Sequence, residues 1–198
     1  DKDIYDSNIV FMFHSNSSSA PKAGFGTGEI IPSDNVVEYS SLNEKTKTSV
    51  IYDWRKKLDD SWGSPFTVDG LRWNTVTHYV LASQYKKGFP DFYKEFSLDS
   101  ESELSTSLEL AKAATSKSGK LENKQIRPEN VTVDADYYTI GVESRKDQER
   151  YTALEAKFTQ NLDLQRVLME TKRAKLVKFI RRNDPEPDTQ LMQLRKKI

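Results

Sequence analysis

At 198 residues the chain is long enough to bury one sizeable core, and two small lobes are compatible with that length. Thirty basic side chains against thirty acidic ones leave no formal net charge, which removes any global electrostatic case for nucleic acid or an anionic membrane. The absence of cysteine excludes disulfides and thiolate metal sites and suits a reducing compartment, and no apolar run approaches a membrane span.

The first residue is Asp1, with no initiator methionine and no signal-like apolar segment, which reads as a trimmed piece of something longer. Ile9 to Phe13 is a short apolar strand, followed by a Ser/Asn-rich loop from Ser15 to Ala20 that is too polar for a core. Thr48 to Lys57 reads as helical. Pro65 to Trp73 alternates apolar and polar residues about Asp69-Gly70, the pattern of a hairpin.

A helix is expected from Thr75 to Lys87, capped by Asn74 or Thr75 and stopped by Gly88 before Pro90. Spacings of four and three place Thr77, Leu81 and Gln84 on one stripe of it. Ser100 to Ala114 is a further helical region, Ser116 to Pro128 a polar surface loop, and Val131 to Val142 either extended or a short helix. Arg145 to Leu162 and Leu164 to Ile180 both carry apolar residues at a helical period, and two such helices pair most naturally as an antiparallel hairpin. Asn183 to Asp188 breaks the second, and Thr189 to Lys197 forms a last short helix with a basic end.

The stretch Trp73-Asn74-Thr75-Val76-Thr77-His78-Tyr79-Val80-Leu81-Ala82-Ser83-Gln84-Tyr85 resembles the signature helix of the NADAR (YbiA-like) family, whose members cleave N-glycosidic bonds in ribosylated or ADP-ribosylated compounds. The similarity extends along the chain. Phe11-Met12-Phe13-His14-Ser15 resembles the family's opening Phe-Tyr-Ser strand, with His14 at the tyrosine. Gly24-Phe25-Gly26-Thr27-Gly28-Glu29 is similar to a Gly-x-Gly-x-Gly-Glu element of the branch found in large DNA viruses and some eukaryotes. Trp54-Arg55-Lys56, Ser64 to Trp73, Phe96 to Ala114 and Ala156 to Leu176 follow in the family's order. The resemblance implies one α+β domain over residues 1–198, predominantly helical, with 183–198 as a tail.

The chemistry that the resemblance implies requires an ionised carboxylate beside an oxocarbenium-like anomeric carbon. In the family pattern that glutamate falls on Thr77, which cannot ionise, and the lysine falls on Gln84. The asparagine of the Leu-Ser-Asn-Phe loop falls on Asp60, and the C-terminal Asp-x-x-Trp-Gly segment of bacterial members is absent. Losing a general acid or base alone removes roughly 10²–10⁴-fold in rate. Glu29 and Asp60 are the candidate replacement acids, set against the plainer reading that both are exposed loop acids. Gly24, Gly26 and Gly28 are candidates for cradling a phosphate through backbone N–H groups, although no Lys-Ser/Thr ending follows. Trp73 and His78 complete the candidate ligand-binding set, against the reading of Trp73 as core and of His78 as a packed histidine. The basic runs Arg181-Arg182 and Arg195-Lys196-Lys197 read as solvated helix ends.

These residues imply a catalytically degenerate NADAR-like domain serving as a structural or protein-interaction component, in a virion or another large assembly. The expected partners are other protein subunits, with an ADP-ribose-like ligand as an alternative; neither metal nor cofactor is expected, and the setting is intracellular or a virion. The rival readings are an active N-glycosidase or ADP-ribosyl hydrolase with relocated groups, and a binder of ADP-ribose that does not hydrolyse it.

Overall fold

A computed structural model describes residues 3–16, 23–139, 141 and 143–198. In chain order its regular elements begin with β1 (Asp6–Phe13), α1 (Trp54–Leu58), β2 (Phe66–Val68), β3 (Leu71–Trp73), α2 (Val76–Ser83), α3 (Pro90–Glu95) and α4 (Leu108–Ala114). They continue with β4 (Lys120–Leu121), β5 (Lys124–Gln125), α5 (Arg145–Gln160), α6 (Leu162–Glu170), β6 (Ala174–Lys178), β7 (Glu186–Pro187) and α7 (Thr189–Lys197). Helical residues outnumber strand residues, giving the α+β class expected. Contacts divide the chain into two units, Asp1–Trp62 with Asn161–Ile198, and Gly63–Gln160.

In the first unit, the alternation of β1 turns Ile9, Phe11 and Phe13 inward. β1 pairs in parallel with β6, in the register Phe11 to Leu176 and Phe13 to Lys178, and β7 adds antiparallel to the far edge of β6. Phe11 meets Tyr39 and Trp54 edge-on at centroid distances of 5.3 and 5.6 Å, which seats α1 against β1. The Trp54 indole N–H donates to the Leu42 carbonyl at 3.0 Å.

Three expectations for this unit are corrected. The helix at Thr48 to Lys57 is confined to Trp54–Leu58, because Asp53 takes a left-handed conformation (φ 59°) and turns precede it. The second amphipathic helix does not run to Ile180: it ends at Glu170, Lys172 sits at φ 46°, and Ala174 to Lys178 becomes the strand on β1. Within that strand Ala174, Leu176 and Val177 are buried, so the segment completes a sheet. The expected helical hairpin gives way to separate packing, with α6 against α1 in this unit and α5 against α2 and β2 in the other.

The tail is not merely a polar appendage. Asp188 caps α7 by accepting from Leu191 N at 3.2 Å, and Leu191, Met192 and Leu194 are buried as α7 lies on β6. Lys196 and Lys197 are the exposed basic end that was expected, but Arg195 is buried. Its guanidinium donates to Thr171 Oγ1 at 2.9 Å and to the Ile4 carbonyl at 3.3 Å, a cation held at the C-terminal end of α6. Burial lowers its pKa to about 10. The Ser15 to Ala20 loop begins with a turn at Ser15 and Asn16, and the rest of it lies outside the described residues.

In the second unit the hairpin forms as read: β2 and β3 are antiparallel, and Asp69 and Gly70 both have positive φ (57° and 74°), as a type I′ turn demands. Thr75 caps α2, its side chain accepting from His78 N. The helix stops at Ser83 and not at Lys87, because distant groups take over its end. The Asp134 carboxylate accepts from Lys87 N at 3.0 Å and Gly88 N at 2.9 Å, while Arg145 donates to the Ser83 carbonyl and pairs with Asp134 at 2.8 Å.

Ser100 to Ala114 resolves into the end of one 3₁₀ turn (Leu98–Ser100), a second (Glu103–Ser105) and α4, with Ser102 and Ser107 as caps; their hydroxyls compete for the backbone that a continuous helix would need. Ser116 to Pro128 is an organised hairpin, β4 with β5, and not an open loop. Arg127 holds it by donating to the carbonyls of Ala114 and Ser116, both at 2.7 Å. From Val131 to Thr139 the chain is irregular and then turns, neither extended strand nor helix, and Ile140 and Val142 lie outside the described residues.

Candidate functional site

Helix α2 buries Val76, His78, Tyr79, Ala82 and Ser83 and leaves Thr77, Val80 and Leu81 half-buried. Thr77 is thus presented on the less buried side, and its hydroxyl has no hydrogen-bond partner among the described residues. Gln84, one residue past the helix, is buried; its amide N–H donates to the Leu81 carbonyl at 2.9 Å and its amide oxygen accepts from Tyr138 at 3.4 Å. The stripe of Thr77, Leu81 and Gln84 therefore offers a hydroxyl, an alkyl group and an amide already engaged.

His78 is fully buried, with Nδ1 2.8 Å from Thr75 Oγ1. The same hydroxyl oxygen accepts from His78 N at 3.0 Å, so Thr75 ties down both the main chain and the ring of His78. Burial lowers its pKa to about 4, opposed by the Ser107 main chain, and the ring stays neutral. Trp73 is fully buried between Tyr79 and Tyr93, each 5.1 Å away, and its indole N–H donates to Val68 O at 3.0 Å. The indole is fully buried with two aromatic neighbours, so it stabilises the unit by burial.

In the other unit, Glu29 is not an exposed loop acid. Its carboxylate is buried against Arg55, with Nη2 to Oε1 at 2.6 Å and Nε to Oε2 at 3.3 Å, and it also accepts from Met12 N at 3.2 Å. This bidentate clamp joins the glycine-rich loop to α1 and β1. Gly24 (φ 84°) and Gly28 (φ 80°) need their missing side chains for the turn itself. A Cβ on Gly24 would stand 1.8 Å from Ile31 Cγ2, so that glycine serves close chain packing. Gly26 accepts through its carbonyl from Glu29 N at 3.0 Å, closing the turn.

Asp60 follows α1 in the Leu58-Asp59-Asp60-Ser61 loop, where Asp59 accepts from Ser61 N at 3.0 Å. Its carboxylate lies 3.9 Å from Lys178 Nζ at the end of β6. His14, at the adjoining end of β1, has its ring 5.0 Å from Phe179, and Nδ1 accepts from Asn16 N at 3.0 Å. Asp60 and His14 thus both lie near the carboxyl ends of the parallel strands β1 and β6. Among the described residues no group of three His, Asp or Glu side chains is placed to hold a metal ion, and no helix is long and apolar enough to cross a membrane.

One cluster escaped the sequence. Lys86 Nζ reaches Tyr79 Oη at 2.7 Å, Glu149 at 2.9 Å and Asp69 at 2.8 Å, and Tyr93 donates to Asp69 at 2.6 Å. Burial and the neighbouring Glu149 raise the Tyr79 pKa far above its ordinary value, and burial with Asp69 does the same for Tyr93. Burial alone would raise Asp69, but hydrogen bonds from Lys86 and Tyr93 outweigh it and hold the carboxyl below its usual range. Tyr79 and Lys86 stand only seven residues apart in sequence, but Asp69 comes from the β2–β3 turn and Glu149 from α5.

The two units make an α+β fold in which a glycine-rich loop, a parallel strand pair and a Thr-capped helix after an Asp-Gly hairpin are the distinctive parts. That fold is YbiA-like: the solved NMR structure of the E. coli protein YbiA superposes with a TM-score of 0.51 over 97% of this chain and 86% of that one, at 18% identity. No protein-family model matches the sequence, and no curated protein matches it either.

Proposed function

We propose that this chain is a catalytically degenerate NADAR-like domain acting as a structural or protein-interaction component of a larger assembly, such as a viral particle. The observation that carries the reading is Thr77, an un-ionisable side chain on the half-buried side of α2 where the resemblance puts the catalytic glutamate. Two further facts support it. Gln84, at the lysine position, turns its amide onto the Leu81 carbonyl. Glu29, the nearest acid to the glycine-rich loop, is neutralised by Arg55 and held by Met12 N, an arrangement unsuited to delivering or taking a proton.

The test is to incubate the chain with ADP-ribosylated guanine and with ribosylated pyrimidines and to follow release of ADP-ribose or free base. No turnover is expected. Turnover at the level of an active enzyme, abolished by Asp60→Asn or Glu29→Gln, overturns the reading in favour of relocated catalytic groups. Calorimetric binding of ADP-ribose without turnover, lost in Thr77→Trp, overturns the structural role in favour of a ligand sensor. Native mass spectrometry of the chain in its source assembly is expected to find it bound to other protein subunits.

A further inference from the structure

Charge balances over the whole chain but not along it. Lys172 to Arg182 carries six basic side chains and no acidic one, whereas Phe89 to Ser105 carries five acidic and one basic. Each stretch presents an exposed feature whose chemistry the other complements.

The acidic stretch borders a depression of about 350 Å³, whose lining includes the buried Phe92 and Val131, with Phe89 and Pro128, and the exposed Asp91 and Glu95. Asp91 and Glu95 stand one turn apart on α3, both exposed, and neither has an ion-pair partner among the described residues. Like charges at that spacing repel, so the helix by itself gains nothing from the arrangement, and a cation between them would relieve it.

The basic stretch ends in an exposed tip. After β6 the chain is anchored by Phe179 N donating to the Phe13 carbonyl at 3.1 Å, and then presents Phe179, which is 46% exposed, and the exposed Arg181 and Arg182. Neither arginine has an ion-pair partner among the described residues, and Arg182 stands at φ 67° in the turn that displays them. A half-exposed aromatic side chain followed two and three residues later by exposed arginines suits an apolar floor with a carboxylate rim.

We propose that the Phe179–Arg182 tip of one copy docks into the Phe92–Val131 depression of a second copy, with its guanidinium groups paired to Asp91 and Glu95. Tip and depression are different surfaces of the same chain, so each contact joins the tip of one copy to the depression of another. Zero net charge supports this, because copies approach without long-range repulsion while their local patches attract. The contact is small and its ion pairs are solvated at the rim, so association is weak, reversible and reduced by salt. It does not depend on whether catalysis was lost, since none of these residues lies on the Thr77–Gln84 stripe.

Sedimentation velocity on the full chain at low ionic strength is expected to show concentration-dependent growth that high salt reverses. Charge reversal at the rim (Asp91→Arg with Glu95→Arg) and at the tip (Arg181→Glu with Arg182→Glu) should each leave a folded monomer. Mixing the two variants, or combining all four substitutions in one chain, should restore growth. The proposal is overturned by a wild type that stays monomeric at every concentration tested, by growth indifferent to either reversal, or by failure of the combined variant to recover. A monomeric wild type whose depression binds a free Lys-Phe-Ile-Arg-Arg peptide assigns that surface to a foreign basic segment and overturns self-docking.

Discussion

Glu29 and Arg55 form a buried ion pair at 2.6 Å, their side chains only 1% and 4% exposed. The guanidinium also lies 4.2 Å from the Trp54 ring centroid, so one cation joins the loop acid to an aromatic of the core. Arg55→Leu leaves the buried Glu29 carboxylate with, among the described residues, just the Met12 N–H and is expected to destabilise by about 3–5 kcal/mol, read from the urea midpoint. Replacing both partners with apolar residues should be far less damaging than the sum of the single changes. A loss below about 1 kcal/mol for Arg55→Leu would show that the pair does not hold the loop.

The glycine-rich loop gives a graded test. Gly24→Ala adds a left-handed penalty of about 1–2 kcal/mol and drives a Cβ into Ile31, whereas Gly28→Ala meets only the mobile Met12 Cε at 2.9 Å. Gly24→Ala should therefore be the more destabilising by thermal denaturation, and Ile31→Ala should recover part of the difference. Equal effects would mean that close chain approach at Gly24 is unimportant.

The hairpin, the Thr75 cap and the α7 helix were legible because their signals are local: an Asp-Gly pair, a hydroxyl three residues before the amide it caps, a basic helix end. What sequence could not show depends on distant partners. Ala174 to Lys178 reads as the continuation of a helix until the open edge of β1, more than 160 residues earlier, makes it a strand. The helix at Thr75 reads through to Gly88 until Asp134 and Arg145 claim its last turn. Glu29 reads as a loop acid until Arg55 buries it. Thr77 and Gln84 were placed by pattern alone; the structure adds that the Gln84 amide is engaged by Leu81 and Tyr138, and that the Thr77 hydroxyl has no hydrogen-bond partner among the described residues.

His78 gives the chain an acid limit. Its ring is neutral in the fold with a pKa of about 4, against 6.5 for the ordinary group, so the unfolded chain binds the proton more readily. Stability is unaffected above pH 6.5 and falls as pH drops from there to about 4, by on the order of 3 kcal/mol in all. Urea titrations at several pH values should show this loss, and His78→Gln should flatten it, since an amide has nothing to titrate. An unchanged acid slope in that variant would assign the pH dependence to the carboxylates.

The Lys86 ammonium touches Tyr79, Glu149 and Asp69 together, so its contribution should be shared and not additive. Lys86→Met leaves the Glu149 carboxylate beside the Tyr79 hydroxyl without a cation and is expected to destabilise the unit. A double-mutant cycle with Glu149→Gln should return a coupling of about 0.5–3 kcal/mol. Asp69 is 42% exposed where Glu149 is 15%, so solvent weakens its pairing with the same cation. Asp69→Asn should therefore cost less than Glu149→Gln, despite its shorter distance to Lys86. If the two substitutions prove equal, or if Lys86→Met is neutral, the cluster is a surface arrangement that contributes nothing measurable to stability.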